Sequence, residues 1–206
     1  MRSNNGHRRV RKRLRLKYYD YSSVGLYFVT ICTKDRGCLF WDGSKKIMQL
    51  NDAGRMIDYY WNRMAYKFMN IQLDEFIVMP NHIHGIIALV GADPCVGPEL
   101  GQCSHPAFNP YVQSDIKNGT INGSCGPTRG SAPTSLFRVM QWFKTMTTNA
   151  YIRGVKTQGW ESFPDKLWQR NYYERVIRDE EELNTIREYI QNNPAGWDQD
   201  AENVSP

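Results

Sequence analysis

The sequence lacks three features that define common protein classes: a long apolar run, paired cysteines and an internal repeat. None of its hydrophobic stretches approaches the roughly 20 apolar residues that span a bilayer, which excludes a helical membrane protein. The five cysteines are scattered and form no Cys-x-x-Cys pair, so neither a disulfide framework nor a zinc ribbon is indicated. We therefore expect a cytoplasmic protein with no membrane partner.

Acidic residues are missing from the first 17 positions, which contain eight lysines or arginines. Since the whole chain has a net charge of +5, the rest is net negative, and the basic character belongs to an arm at about residues 1–20. Such an arm attracts polyanions and above all nucleic acid, although a solvated or targeting tail has the same composition. The arm residues expected to contact DNA phosphates are Arg8, Arg9, Arg11, Lys12, Arg13 and Arg15.

Beyond the arm, strand patterns alternate with helix patterns, which predicts an α+β fold with helices packed on an antiparallel sheet. Helices are predicted from 51 or 52 to about 68, from 135 to an end at Gly154, and from 179 to Pro194. Strands are predicted for "GLYFVTICT", "LDEFIVMP" and "HIHGIIALV". The segment "RGCLFWDG" is predicted to form a turn and a second short strand, and "LWQRNYYERVI" to be extended.

The composition changes between residues 91 and 134, where glycine, proline, serine and asparagine dominate. This stretch is too long for an ordinary loop and predicts a disordered or mobile insertion, to which we assign no role. The domain around it is expected to cover residues 21–197, followed by a short acidic tail at 198–206.

Two of the four histidines, His82 and His84, stand at alternate positions at the start of an apolar strand. Residues i and i+2 of a strand point to the same face, about 6.5 Å apart along the chain, so both imidazoles could reach one metal ion. Histidines that are hydrogen-bonded and inert give the same pattern, and the pair alone leaves both interpretations open.

The last predicted helix carries Tyr189 and Asn193 one turn apart, with side chains about 5–6 Å from each other. A phenol nucleophile and an amide oxygen could therefore reach the histidine-bearing sheet together. The alternative is a tyrosine packed on the core and an asparagine that caps the helix before Pro194. Proline also disfavours helical geometry at the residue before it, so Asn193 is expected slightly off an ideal helical position.

Three segments carry a family resemblance: "YDYSSVGLYFVTICTKDRGCLF", "LDEFIVMPNHIHGII" and "LWQRNYYERVIRDEEELNTIREYIQNNP". Together they resemble the HUH single-strand nucleases, most of all the single-tyrosine transposases of the smallest insertion sequences and, among these, the REP-associated tyrosine transposases. The resemblance covers most of the chain outside the arm and the insertion. It implies a ferredoxin-like antiparallel sheet with helices packed on it.

Carried over residue by residue, the resemblance makes His82 and His84 metal ligands, Tyr189 the nucleophile and Asn193 the third metal ligand. Some relatives have glutamine at the position of Asn193, and the shorter amide could shift the ion or the helix. The implied cofactor is Mg²⁺ or Mn²⁺. The implied reaction is cleavage and strand transfer of single-stranded DNA near hairpins through a 5′-phosphotyrosine intermediate. Such a protein would be nucleoid-associated, and a homodimer with shared active sites stays open because the family includes dimers.

Two further pairs of residues bear on this chemistry. Arg138 and Lys144 of the middle helix are predicted to add to the phosphate contacts of the arm. Tyr172 and Tyr173 are rival nucleophiles, although no ligand-type residue lies one turn away from them.

Two other functions stay open on the sequence alone. One is a domesticated DNA-hairpin-binding protein that uses the same fold and arm without cleaving DNA. The other is a zinc hydrolase built on the two histidines. That class lacks support from the sequence that follows, since Gly85 and Ile86 stand where a His-x-His-x-Asp-His motif would continue.

Overall fold

A four-stranded antiparallel sheet forms the centre of the computed structural model, which describes residues 23–42, 49–90, 134–200 and 202–203. Its strands are β1 (Gly25–Cys32), β2 (Ile71–Val78), β3 (His82–Leu89) and β4 (Tyr173–Ile177), in the spatial order β2-β3-β1-β4. The helices are α1 (Asp52–Lys67), α2 (Leu136–Gln158) and α3 (Glu180–Asn192), followed by a 3₁₀ helix at Asn193–Gln199. Up to β4 the elements follow the β-α-β-β-α-β order of ferredoxin-like folds. The predicted α+β class with an antiparallel sheet is confirmed.

Capping side chains fix the starts of two helices. The side chain of Asn51 accepts a hydrogen bond from the Gly54 N–H at 2.8 Å at the start of α1. At the start of α3, Asp179 accepts from the Glu182 N–H at 2.8 Å, while the Glu182 carboxylate accepts from the Arg178 N–H at 2.9 Å. The first of these bonds is the Asp179 cap that the sequence predicts, whereas Glu182 binds the N–H of the residue before the cap and not that of Asp179 itself, as a capping box would require.

Alternation along the strands divides the side chains between two cores. The larger core lies on the face of α1 and α2 and includes Tyr27 and Ile83. The smaller core lies on the other face, where Phe28 and Ile86 pack with Ile190 of α3. The two site histidines alternate with Ile83 and so lie on the α3 face.

Two predictions of secondary structure are wrong. Residues 36–41 form no strand, and the described part of this segment contributes an isolated bridge between Trp41 and Leu50. The helix α2 does not end at Gly154 but continues to Gln158, and the left-handed residue after it is Gly159, with φ of 71°. Gly154 is instead a packing position, because a Cβ atom there would lie 2.2 Å from the ring of Trp160.

The predicted arm at residues 1–20 and residues 91–133 of the predicted insertion lie outside the described residues. In the described segments, no helix is both long enough and apolar enough to span a bilayer.

Candidate active site

The side chains of His82 and His84 meet on the sheet face that α3 covers. Their Nε2 atoms are 3.0 Å apart, and both residues are buried, with exposed fractions of 0% and 3%. His82 Nδ1 is 2.8 Å from the Asn81 amide oxygen, and His84 Nδ1 is 2.8 Å from the Thr30 hydroxyl. An amide oxygen only accepts, so His82 carries its proton on Nδ1, and the Thr30 hydroxyl can accept from His84 in the same way. Both Nε2 lone pairs are then directed at one point.

Burial keeps this pair neutral. It lowers the pKa of His82 to about 4, and together with the neighbouring His82 it lowers the pKa of His84 to about 3. Neutral imidazoles are the form that binds metals. Two adjacent ligands about 2.1 Å from an octahedral ion lie about 3.0 Å apart, which is the separation of the two Nε2 atoms. The donor set therefore fits a divalent cation.

Tyr189 of α3 brings a phenol to this pair within the same chain. Its hydroxyl lies 3.3 Å from His84 Nε2, and the two rings are 5.2 Å apart. Half burial raises the pKa of Tyr189, the carboxylates of Asp200 and Glu202 add to this effect, and a hydrogen bond with the Asn193 side chain opposes it. The residue is still 48% exposed, so the phenol is accessible from solvent.

Asn193 follows α3 directly and lies beside the phenol. Its backbone is helical, with φ of −56° and ψ of −40°. The prediction that Asn193 lies off an ideal helical position before Pro194 is therefore wrong. Pro194 instead stands in the first turn of the 3₁₀ helix, where a missing N–H costs nothing. The one-turn relation to Tyr189 is thus preserved. Among the described residues, the buried Asn193 Oδ1 has no hydrogen-bond partner, which suits an oxygen that binds a cation.

Asp200 is a site residue that the sequence did not single out. Its side chain is 6% exposed, and one carboxylate oxygen lies 3.8 Å from His82 Nε2. The Glu202 N–H donates to the other oxygen at 2.7 Å. His82, His84 and Asp200 each offer a ligand atom within 4.8 Å of the others, a group that could hold a metal ion. A carboxylate near a chain end is usually solvated, so composition gave no signal for this position.

Asn81 ties the C-terminal residues to the histidine strand. Its amide nitrogen donates to the Glu202 carbonyl at 2.8 Å and to the Arg36 carbonyl at 3.1 Å, while its oxygen accepts from His82. The Glu202 carboxylate pairs with the Arg36 guanidinium at 2.8 Å and accepts a hydrogen bond from Cys32. Burial and this carboxylate raise the pKa of the Cys32 thiol to about 12, so the thiol is protonated at neutral pH.

The predicted phosphate contacts differ in their surroundings. Lys144 is half-buried, and its ammonium donates to the carbonyls of Gln169 and Arg170 at 2.5 and 3.1 Å. Burial lowers the pKa of Lys144 to about 8. Two of its three donors thus hold the protein's own backbone. Arg138 is exposed in the first turn of α2, and the six arm residues lie outside the described residues.

The rival tyrosines stand at the start of β4 and directly before it. Tyr172 is buried in the larger core. Tyr173 is 44% exposed on β4 and contacts Phe28 through its ring. Tyr189, by contrast, lies within hydrogen-bond distance of His84.

A cavity of about 960 Å³ opens beside these groups. His84, Tyr189, Asn193 and Asp200 line one end of it, so a phosphate that entered from solvent would meet the phenol and the candidate metal ligands together.

Comparisons with known proteins identify a relative in sequence and similar solved structures. No protein-family model matches it. An uncharacterized protein of Haemophilus influenzae is 37% identical over 190 residues, which cover 92% of this chain and 91% of that protein. The solved structure of a REP-associated tyrosine transposase bound to a REP hairpin superposes with a TM-score of 0.50 and 14% identity, over 89% of this chain and 74% of that chain. A candidate transposase from Deinococcus radiodurans gives a TM-score of 0.41 and 13% identity, over 86% of this chain and 95% of that chain. The first of these structures shares the fold.

Proposed function

The chain belongs to one family with the Haemophilus influenzae protein, and from its fold and site geometry we propose that it is an HUH-type transposase, a metal-dependent single-strand DNA endonuclease and strand transferase. One observation carries the proposal. The Tyr189 hydroxyl lies 3.3 Å from an imidazole nitrogen that is itself 3.0 Å from a second imidazole nitrogen. A nucleophile beside a pair of metal ligands is an arrangement that supports phosphoryl transfer through a protein ester.

The reaction is a transesterification at phosphorus. Tyr189 Oη attacks a backbone phosphate and forms an O–P bond while the bond from phosphorus to the 3′ oxygen breaks. The phenol proton leaves to a base or to water, and the departing 3′ oxygen gains a proton to become a free 3′-OH. The 5′-phosphate stays on Tyr189 as an ester, so attack by a 3′-OH reverses the step and joins strands.

His82 and His84 would hold a divalent ion, Mg²⁺ or Mn²⁺, with Asn193 and Asp200 as candidates for the oxygen ligands. A bound ion would supply positive charge that stabilises the phosphate during attack and that offsets the carboxylates that raise the pKa of Tyr189.

The substrate is single-stranded DNA with hairpins, and two features support it. The first structural neighbour binds a REP hairpin. The arm of this chain concentrates eight positive charges in 17 residues, which suits backbone phosphates. Arg138 is exposed and can add to these contacts. Lys144 has two of its donors engaged within the protein.

An oligonucleotide assay tests the proposal. Hairpin oligonucleotides labelled at the 5′ or 3′ end are incubated with the protein and Mg²⁺, Mn²⁺ or Zn²⁺ and separated on a denaturing gel. We expect an SDS-resistant adduct on the fragment 3′ of the cut with Mg²⁺ or Mn²⁺. It should be absent in Tyr189→Phe and unchanged in Tyr66→Phe, a matched loss of an exposed tyrosine hydroxyl on α1. Peptide mapping of the adduct separates Tyr189 from Tyr172 and Tyr173.

Two results contradict the proposal. Hairpin binding without an adduct under any of these ions identifies a DNA-binding protein that does not cleave. Ester hydrolysis that depends on Zn²⁺ and survives Tyr189→Phe identifies a zinc hydrolase.

A further inference from the structure

The cavity at the site extends past the histidine pair to the edge of the sheet, where its lining changes. Gln169, Asn171 and Tyr173 bound it there, and α3 forms the opposite wall. Pockets of about 300–1,000 Å³ enclose whole drug-sized ligands, so a phosphate at the histidines fills a small part of a 960 Å³ space. The far end has room for a nucleoside attached to that phosphate.

Tyr173 presents a flat ring to this space. It is 44% exposed on the edge strand β4, opposite Thr30 of β1. Its ring meets Phe28 edge-on, at a centroid distance of 6.4 Å and an angle of 70°. Phe28 in turn stacks on His84 at 5.4 Å and 24°. A single ring thus separates the exposed tyrosine from the site imidazole, and an exposed ring in such a place can stack an unpaired base.

Two residues with amide side chains, Gln169 and Asn171, line the cavity together with Tyr173. Each amide offers a carbonyl acceptor and two N–H donors, the groups that pair with the edge of a base. The wall therefore combines a stacking surface with hydrogen-bonding groups.

This wall is held in place by the sheet and α2. The Gln169 N–H donates to the Cys32 carbonyl at 3.0 Å, and the Gln169 carbonyl accepts from Lys144. The preceding Trp168 forms a bridge to Thr33 at the end of β1. A wall fixed in this way binds without a large cost of ordering.

We propose that the far end of the cavity is a base subsite, in which an unpaired nucleobase next to the cleaved phosphate stacks on Tyr173 with its edge toward Asn171 and Gln169. The subsite rests on the proposed single-strand DNA substrate. It gives Tyr173 a binding role in place of the nucleophilic role that the sequence left open.

Binding of fluorescent oligonucleotides tests the subsite without any cleavage. The base analogue 2-aminopurine is placed in turn at each unpaired position beside the cut, and the protein carries Tyr189→Phe so that no ester forms. At one position we expect quenching by stacking that persists in Tyr173→Phe and disappears in Tyr173→Leu, which retains an apolar cover over Phe28. Affinity for the intact oligonucleotide should fall roughly 5- to 150-fold in Tyr173→Leu. An abasic nucleotide at that position should abolish the difference between the variants.

A matched control and a separate activity measurement keep the two proposals apart. Tyr66→Leu removes an exposed tyrosine from α1, on the other sheet face, and should change neither quenching nor affinity. Equal affinity of Tyr173→Leu and Tyr173→Phe, or a loss that is the same for every abasic position, would overturn the subsite. Absence of a Tyr189-dependent adduct in the otherwise unaltered protein would overturn the nuclease chemistry. The quenching and affinity measurements would still decide whether Tyr173 stacks a base.

Discussion

Replacing Asp200 by asparagine should weaken divalent metal binding, because it removes a buried negative charge from the imidazole pair. The carboxylate is 6% exposed and lies 3.8 Å from His82 Nε2. Coulomb's law gives about 4 kcal/mol between unit charges 4 Å apart at an effective dielectric constant of about 20. Desolvation of the carboxylate offsets part of this attraction. We therefore expect Mn²⁺ affinity to fall by about 10- to 1,000-fold, or about 1.4–4.1 kcal/mol.

The measurement is a Mn²⁺ titration followed by electron paramagnetic resonance of the free ion, with calorimetry as a second readout. Asp198→Asn is the matched control, since Asp198 is exposed in the 3₁₀ helix that Asp200 directly follows and its substitution changes the net charge equally. His84→Ala should abolish binding in both assays. Asp200→Asn affinity within about threefold of the Asp198→Asn value would refute the placement of this carboxylate at the ion.

Three other predictions follow from burial and packing. Burial lowers the pKa of both site histidines below the usual 6.5, so the unfolded chain binds protons at a higher pH than the folded chain does. The free energy of unfolding should therefore fall as the pH drops from about 6.5 toward 4. Urea titrations should show that this free energy depends less on pH when both histidines are replaced by glutamine. Gly85→Ala should cost about 1–3 kcal/mol, because its Cβ would lie 2.4 Å from the Trp61 ring, whereas Gly25→Ala meets contacts no closer than 3.7 Å and should be neutral in the same titration. Lys144→Met should destabilise the protein by about 1–3 kcal/mol, since it leaves the Gln169 carbonyl unpaired, and an unchanged salt slope of DNA binding would separate this role from a phosphate contact.

The sequence predicts those parts of the fold that depend on local chemistry. The strand period of two predicts that His82 and His84 share a face, and the cap at Asp179 predicts where α3 begins. The same local rules misplace the end of α2, because glycine serves both as a helix end and as a site of close packing. The ring of Trp160 against Gly154 distinguishes these uses, and that contact forms only once the chain has turned back at Gly159.

The site shows the same division between local and tertiary information. The spacing of Tyr189 and Asn193 fixes their common face, since both belong to one helical path. Asp200 enters the site because the chain turns back through a 3₁₀ helix and the Glu202 carbonyl binds Asn81. No periodicity in the sequence encodes that return. Lys144 is a similar case, because a lysine that binds carbonyls and one that binds phosphates have the same sequence pattern.

The position of Tyr189 depends on the smaller core rather than on the larger one. On the apolar side, α3 contributes Ile186 and Ile190 to a cluster of five buried residues. On the polar side, Arg187 donates to both carboxylate oxygens of Asp74 on β2, and this pairing lowers the pKa of the Asp74 carboxyl. The larger core is built from the sheet, α1 and α2 without α3. The helix that brings the phenol to the imidazoles is therefore attached to a scaffold whose main core does not require it, so the geometry of the site can change while most of the fold is retained.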